Sequence, residues 1–397
     1  MDATLSLELQ NIGLVADNQT YLEDINLTFE SGAFNVLLGR TLAGKTSLMR
    51  VIAGLDKPTA GNVLLNGENI TRCSVQKRNV SMVYQQFINY PHFSVWENIA
   101  SPLKIAKVPA QEIKRRVSEI AELLHIEPFL HKQPLELSGG QQQRCAMARA
   151  LVKDAQIILF DEPLVNLDYK LRETLRFELK ALFKKRESIA IYATTEAHEA
   201  LALGGTTALL HEGRVLQNGE ALQQYYQPAD LHAADLFHEP PMNRFNVSIT
   251  ERKLRVASSL SAQAETCSST HAAVLIATDI ELNKNDYLAS LNDGIYQCAV
   301  RPDQVYLAST NLSELVITGQ VDLAEISASE TFVHVTLSDP ALDSLTWVVH
   351  LQGIHHFDPD AKLRLFVAVK DMYVFDQQGA SVCSPKLALA PKSKELS

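Results

Sequence analysis

The sequence predicts an α/β domain followed by an all-β domain, and three observations carry that prediction. Short apolar runs alternate with helix-like stretches through the first part of the chain, the pattern of a parallel sheet flanked by helices. A glycine-rich loop directly follows one of those runs. Beyond Pro240 and Pro241 the chain becomes a series of short strand-like pieces. At 397 residues it is also too long for one ordinary core.

Taken in order, LSLELQNI and INLTFE alternate as half-buried strands, and FNVLL is an apolar strand running into Gly39. Thr46 to Ala53 has helical spacing, which Pro58 and Gly61 then break. Residues 110–125 place Ile113, Val117, Ile120, Ala121 and Leu124 on one helix face, with Lys114, Arg115, Glu119 and Glu122 off it. IILF and IAIYAT are further buried strands. Between the strand reaching Tyr84 and IILF the chain is mainly helical, so an inserted helical subdomain is expected over about 86–155. Past residue 238, FNVSIT, AAVLIAT, YQCAVRP, QVYLAS, LVITGQV, FVHVTL, TWVVHL and RLFVAV read as strands of a small barrel or sandwich. The expected domains are therefore 1–238 and 239–385, with a flexible tail at 386–397.

Composition narrows the function. Hydrophobic residues make 46% and charged residues 21%, which excludes wholesale disorder. A net charge of −10 argues against a nucleic-acid partner, which would call for a basic face. Cys73, Cys145, Cys267, Cys298 and Cys383 are odd in number and scattered, so they read as buried or idle thiols in a reducing compartment. No apolar run reaches membrane-spanning length, and the N-terminus lacks the pattern of a signal peptide. A cytosolic protein that meets a membrane through partners is expected. His355 and His356 have no carboxylate or cysteine companion and read as solvated rather than metal-binding.

Three motifs carry chemistry. Gly39-Arg40-Thr41-Leu42-Ala43-Gly44-Lys45-Thr46, with Ser47 next, stands between the strand FNVLL and a helix. Glycines let successive N–H groups wrap phosphate oxygens, Lys45 adds a point charge, and the Thr46 hydroxyl suits Mg²⁺. Arg40 is a second cation in the loop, expected to point into solvent. Asp161 and Glu162 end the strand IILF where phosphate chemistry would occur. Asp161 would hold Mg²⁺, and Glu162 would polarise the attacking water. Ser138-Gly139-Gly140-Gln141 opens another helix and is a second anion-binding cap. One triphosphate needs one cradle, so the second cap points to a nucleotide held by another subunit.

The phosphate loop, LSGGQ, ILFDEP and Leu167-Asp168 resemble the ATP-binding subunit of an ABC transporter. Residues 1–238 resemble its P-loop ATPase domain. Residues 239–385, with PPMN and Val300-Arg301-Pro302-Asp303, resemble the OB-type regulatory domain of carbohydrate importers. GRTLAGKTSLM, VQKRNVSMVYQQFINYP and YATTEAHEAL are most similar to the paired ATP-binding proteins of bacterial glycerol importers. The resemblance implies ATP and Mg²⁺ as cofactors, with Gln85 joining Mg²⁺ and γ-phosphate to the membrane-facing segment. It implies that Phe87 to Pro91 and the helical subdomain receive two membrane permease subunits. Asp168 would meet the opposite phosphate loop across a dimer of ATPase subunits. A solute-binding protein would act indirectly, and the chain would sit peripherally on the cytoplasmic face of the inner membrane. Repair ATPases with long coiled-coil arms fit neither the short spacing from Lys45 to Ser138 nor the acidic charge.

Two positions depart from the family. Thr195 occupies the place of the switch histidine, and losing such a donor costs about 3 to 4 kcal/mol of transition-state stabilisation. His198 follows and is expected on the surface. Ala16 occupies the place of the aromatic that stacks on adenine, a loss of about 1 to 3 kcal/mol. Tyr21 is expected to be a core aromatic beside INLTF. Both departures weaken the chain's own ATP site and spare LSGGQ and Asp168. Two readings follow. One is an importer ATPase for glycerol or a related polyol or sugar, in an asymmetric pair with a second, non-identical ATPase that carries the histidine. The other is an ATP-holding regulatory half whose partner does most of the turnover.

Overall fold

The computed structural model describes residues 5–385 apart from 87, 166, 258–279, 283–285, 311–312, 339–341 and 343–344. The expected strand AAVLIAT, Cys267, Phe87 and the tail 386–397 lie outside the described residues. The chain divides into two compact units, Met1–Leu222 and Gln223–Ser397.

The first unit contains two sheets. In the antiparallel one, β1 (Ser6–Ala16) lies between β2 (Gln19–Glu30) and β4 (Ala60–Leu65), and β5 (Glu68–Asn69) completes the edge. The second sheet takes β3 (Phe34–Leu38), β6 (Val80–Val83), β7 (Ile157–Asp161), β8 (Ile189–Thr194), β9 (Thr206–His211) and β10 (Arg214–Glu220) in the order β10-β9-β3-β8-β7-β6. Strands β9, β3, β8, β7 and β6 run parallel. The apolar runs behave as expected: every residue of β3, β7 and β8 is buried. Burial on both faces explains why these strands read as continuous apolar runs. On one face Leu37, Leu159 and Ile191 join a core with Leu48, Val51 and Ile52 of α1 (Lys45–Ala53). On the other, Phe34 and Phe160 meet Phe183 of α5 (Tyr169–Lys185) edge to face, at 5.1 and 5.7 Å.

Between β6 and β7 the chain forms α2 (Val95–Ile105), α3 (Ala110–Leu123) and α4 (Gly139–Leu151), which pack on one another. The predicted face of α3 is the buried one, through Ile113, Val117, Ile120 and Ala121, with Leu124 buried just beyond its end. Helix α6 (Ala197–Leu203) follows β8. Helix α1 stops at Gly54 in the left-handed region (φ 77°), before the expected breakers Pro58 and Gly61. Among the described residues no helix is long and apolar enough to cross a membrane.

Helix α7 (Ala221–Tyr226) spans the divide between the units, which falls earlier than the change of character at residue 238 suggests. In the second unit, α8 (Leu231–Leu236) contributes Leu231 and Ala234 to a cluster with Met242, Ala299, Tyr373 and Phe375. Two antiparallel sheets share one larger core. One contains β11 (Asn243–Thr250), β12 (Lys253–Ala257), β13 (Ile280–Glu281), β14 (Gly294–Val300), β19 (Tyr373–Phe375) and β20 (Ser381–Cys383). The other contains β15 (Glu314–Ile326), β16 (Glu330–Leu337), β17 (Thr346–Gln352) and β18 (Lys362–Ala368). Val247, Cys298, Val333, Trp347 and Val367 fill the space between them. The Asn243 side chain joins the sheets, donating to the Val348 carbonyl and accepting from the Val348 N–H, each at 2.8 Å.

The expected strand QVYLAS is a correction. Pro302 opens a short 3₁₀ turn there, and Tyr306 makes a single bridge to Phe366 instead of a ladder. Arg301, in the VRPD stretch, is a buried cation with its guanidinium 3.9 Å from the Tyr225 ring centre.

A buried arginine anchors the phosphate-loop helix. Arg78 is 5% exposed and donates to the carbonyls of Val51 and Ile52 at the end of α1, and to those of Ile70 and Thr71. Replacing it orphans four acceptors at once. Arg78→Met is expected to lower the stability of the first unit by about 3 kcal/mol. Thermal unfolding followed by circular dichroism checks this, and an unchanged transition contradicts it.

Candidate functional site

Register places the site. Leu38 of β3 lies level with Thr194 of β8, and Asp161 of β7 lies level with Ala193. The carboxyl ends of three adjacent parallel strands therefore open side by side, the usual place for a ligand in such sheets. Gly39 leaves β3 there and donates its N–H to the Thr194 carbonyl at 3.3 Å. A Cβ on Gly39 would stand 2.5 Å from the Leu210 carbonyl oxygen, so no other residue fits without backbone movement.

Gly44 (φ 100°) turns the loop into α1 and caps it without a side chain. The first-turn N–H groups of α1 thus have no side-chain acceptor from their cap, which suits an anion. Lys45, 5% exposed, folds back on the loop and donates to the carbonyls of Gly39 at 2.8 Å and Arg40 at 3.2 Å. Its ammonium also lies 3.5 Å from Glu162 Oε1. The Thr46 hydroxyl donates to Asp161 Oδ2 at 2.9 Å, and the Gln85 amide donates to Glu162 Oε2 at 2.9 Å. Five residues singled out in the sequence thus meet in one network. Glu162 adopts φ 47°, an uncommon backbone state for a non-glycine residue, and its N–H is held by the Ala193 carbonyl.

Burial dominates the charges here. It lowers the Lys45 ammonium below its ordinary value although Glu162 and Asp161 both pull the other way. It raises the Asp161 carboxyl despite the hydrogen bond from Thr46. The ammonium is thus held out of water against the Gly39 and Arg40 carbonyls and Glu162, where a phosphate oxygen can take the place of Glu162 as its counter-charge. A cleft of about 440 Å³ opens onto this network, lined by Thr41 through Ser47, Gln85, Glu162, Gln19, Thr20, Tyr21, Glu212 and Gly213. The Arg40 side chain is exposed and outside the lining, as expected.

Thr195 is half-buried, and neither it nor His198 lines the cleft. His198 is exposed, with Nδ1 3.4 Å from Glu196. Ala16 is exposed at a tight hairpin whose turn residues, Asp17 and Asn18, both have positive φ; it too lies outside the lining. Tyr21 requires a correction. It is 36% exposed and lines the cleft, while its neighbour Leu22 enters the core. Strand alternation forces the choice, because only one of two consecutive residues faces inward.

The signature stretch stands apart from this cleft, and none of residues 138–141 lines it. Ser138 caps α4 with a reciprocal box, accepting from the Gln141 N–H while the Gln141 side chain accepts from the Ser138 N–H. Ser138 and Gly139 are exposed, and the N–H groups of Gly139 and Gly140 have no acceptor within the helix. Asp168 caps α5, accepting from the Leu171 N–H at 3.0 Å. Cys145 is buried in α4, and burial pushes its thiol up to about 12, so it is unreactive. His355 and His356 are exposed, and His355 Nε2 meets the Gln352 carbonyl at 2.8 Å.

Sequence reasoning missed Gln143, Glu212 and Gly213. Gln143 is 1% exposed and donates to the carbonyl of Pro163, the residue after Glu162. Its available signal was its place on the inward face of α4, beyond the Ser138 cap. Glu212 and Gly213 form the β9–β10 turn, and Gly213 donates to the Ala43 carbonyl at 3.1 Å. Gln143→Leu is expected to lower ATP turnover roughly 10- to 100-fold through misplacement of Glu162, with ATP binding little changed. Steady-state turnover and equilibrium nucleotide binding check this; wild-type turnover contradicts it.

Comparisons with known proteins identify the family. Residues 22–165 match the family model described as ABC transporter. The chain is 35% identical to the spermidine/putrescine import ATP-binding protein of Aggregatibacter actinomycetemcomitans, over 76% of each protein. It is 32% identical to an sn-glycerol-3-phosphate import ATP-binding protein of Rhizobium etli, over 90% of this chain and 93% of that one. A solved dimeric ATP-binding cassette, in a post-hydrolysis state with ADP and Pi, is 29% identical with a TM-score of 0.50. The match covers 54% of this chain and 98% of the cassette. With its phosphate loop, paired carboxylates and signature helix in these positions, the chain belongs to the ABC transporter family, as an ATP-binding subunit with ATPase chemistry.

Proposed function

We propose that this chain energises an ABC importer by binding and hydrolysing Mg²⁺–ATP in the cleft at Gly39–Ser47. The observation that carries the reading is the network of Lys45, Thr46, Gln85, Asp161 and Glu162 at the level strand ends. Thr46 and Asp161 offer a hydroxyl and a carboxylate 2.9 Å apart, a hard-oxygen pair that suits Mg²⁺, with Gln85 beside them through Glu162. When bound, the ion neutralises charge on the β- and γ-phosphates. Lys45 and the first turn of α1 hold the triphosphate, and Glu162 orients and polarises the attacking water. Gln85 steadies Glu162 through its amide.

The exposed cap at Ser138–Gln141 and the exposed Asp168 support pairing with a second cassette, as the dimeric cassette relative does. The segment after Gln85 supports docking of two membrane permease subunits at the cytoplasmic face. Ile88, Tyr90 and Phe93 are exposed apolar side chains on a braced backbone. The Ile88 carbonyl accepts from Arg149 of α4 at 2.5 Å, and the Asn89 side chain donates to the Gln142 carbonyl. Asn98 of α2 bonds both the N–H and the carbonyl of Tyr90. Movement of α4 on dimer closure would therefore be felt directly by this segment. A solute-binding protein would deliver cargo to the permeases.

The partner cassette is proposed to be non-identical, because Thr195 cannot become cationic where a histidine would stabilise the transition state. The same residue favours the second reading, a chain that mainly holds ATP while its partner turns over. Thr195→His in the assembled transporter is expected to raise ATPase turnover by on the order of 100-fold. An unchanged rate rejects the weakened site.

For cargo, glycerol or a related polyol or sugar remains the proposal, although the relatives import sn-glycerol-3-phosphate and spermidine/putrescine. Cells lacking this chain are expected to lose most uptake of labelled glycerol while retaining spermidine uptake. Loss of sn-glycerol-3-phosphate or spermidine uptake instead reassigns the cargo.

A further inference from the structure

We infer that Tyr21 is the platform for the nucleotide base, in place of the missing aromatic at Ala16. This inference rests on ATP occupying the cleft described above. Lys45, Thr46, Gln85 and Glu162 make its charged end, suited to phosphates. Beyond the phosphates a nucleotide presents a flat, largely apolar base, which needs an apolar surface beside it. Of the described residues lining the cleft, Tyr21 alone carries an aromatic ring.

Its backbone is fixed against the loop that holds the phosphates. A Cβ on Gly44 would lie 3.1 Å from the Tyr21 carbonyl oxygen, and one on Gly213 would lie 2.5 Å from it. Glycine at both positions allows β2 to approach this closely. Gly213 ties the three segments together, donating to the Ala43 carbonyl at 3.1 Å and accepting from the Glu23 N–H at 2.8 Å. Arg214 pairs with Glu23 at 2.7 Å and reinforces the same junction. Leu22, 1% exposed, anchors the strand in the core. The platform is therefore set before ligand arrives, and little ordering cost falls on binding. Ala16 stands at the exposed hairpin end of β1, outside the lining.

The test compares ATP with inorganic tripolyphosphate, which has the phosphates and no base, on the full-length chain by calorimetry. Tyr21→Ala and Tyr21→Leu are expected to weaken ATP binding by roughly 5- to 100-fold, leave tripolyphosphate binding unchanged, and keep wild-type circular dichroism. Tyr21→Phe, which keeps the ring, is expected to bind ATP within about twofold of wild type. Unchanged ATP affinity in Tyr21→Ala overturns the inference. Equal losses for ATP and tripolyphosphate also overturn it, since the residue then acts through the loop. Retention in Tyr21→Leu with loss in Tyr21→Ala would mean that bulk, not the ring, is required, and overturns stacking. A wild-type chain that binds neither ligand sinks the phosphate-loop reading itself, a failure distinct from the others.

Discussion

Asp161 meets Thr46 because β3, β8 and β7 end at the same height. That parallel register is the constraint on which the site depends. A shift of β7 by one residue would turn Asp161 to the opposite face of the sheet and leave Thr46 without its carboxylate. The buried apolar contacts of β3, β7 and β8 are what prevent such a shift, with Leu37, Leu159 and Ile191 on one face and Phe34 and Phe160 on the other. Core packing and catalytic geometry are therefore one requirement. Arg78 extends it to the far end of α1, fixing the helix whose other end opens onto the cleft.

The chemistry follows from placing charges where water is scarce. Lys45 is lowered and Asp161 raised, both chiefly by burial. Glu162 adds backbone strain, tolerated because its own N–H and the next carbonyl are both held.

Much of this was legible in the sequence. The glycine loop, the apolar run before Asp161 and the Ser-Gly-Gly helix start each carry local chemistry, so local reading finds them. The buried face of α3 was visible in its spacing for the same reason. Tyr21 was not, because strand alternation gives two phases and INLTF alone does not say which of Tyr21 and Leu22 turns inward. Glu212 and Gly213 meet the loop only through sheet order, which brings together segments far apart in sequence. QVYLAS has strand composition, yet the turn opened by Pro302 leaves Tyr306 a single bridge. The boundary near residue 222 escaped for a related reason. Composition changes at the prolines, but Leu231 and Ala234 already pack into the second unit.

The pairing of Lys45 with Glu162 has one further consequence. In the chain alone the ammonium and the carboxylate occupy each other, 3.5 Å apart and largely out of water. Under the proposed function, a triphosphate that takes the lysine as its own counter-charge would displace this contact and leave the Glu162 carboxylate free to face water. An empty cleft would then keep its proposed base occupied by the very cation that the phosphates claim.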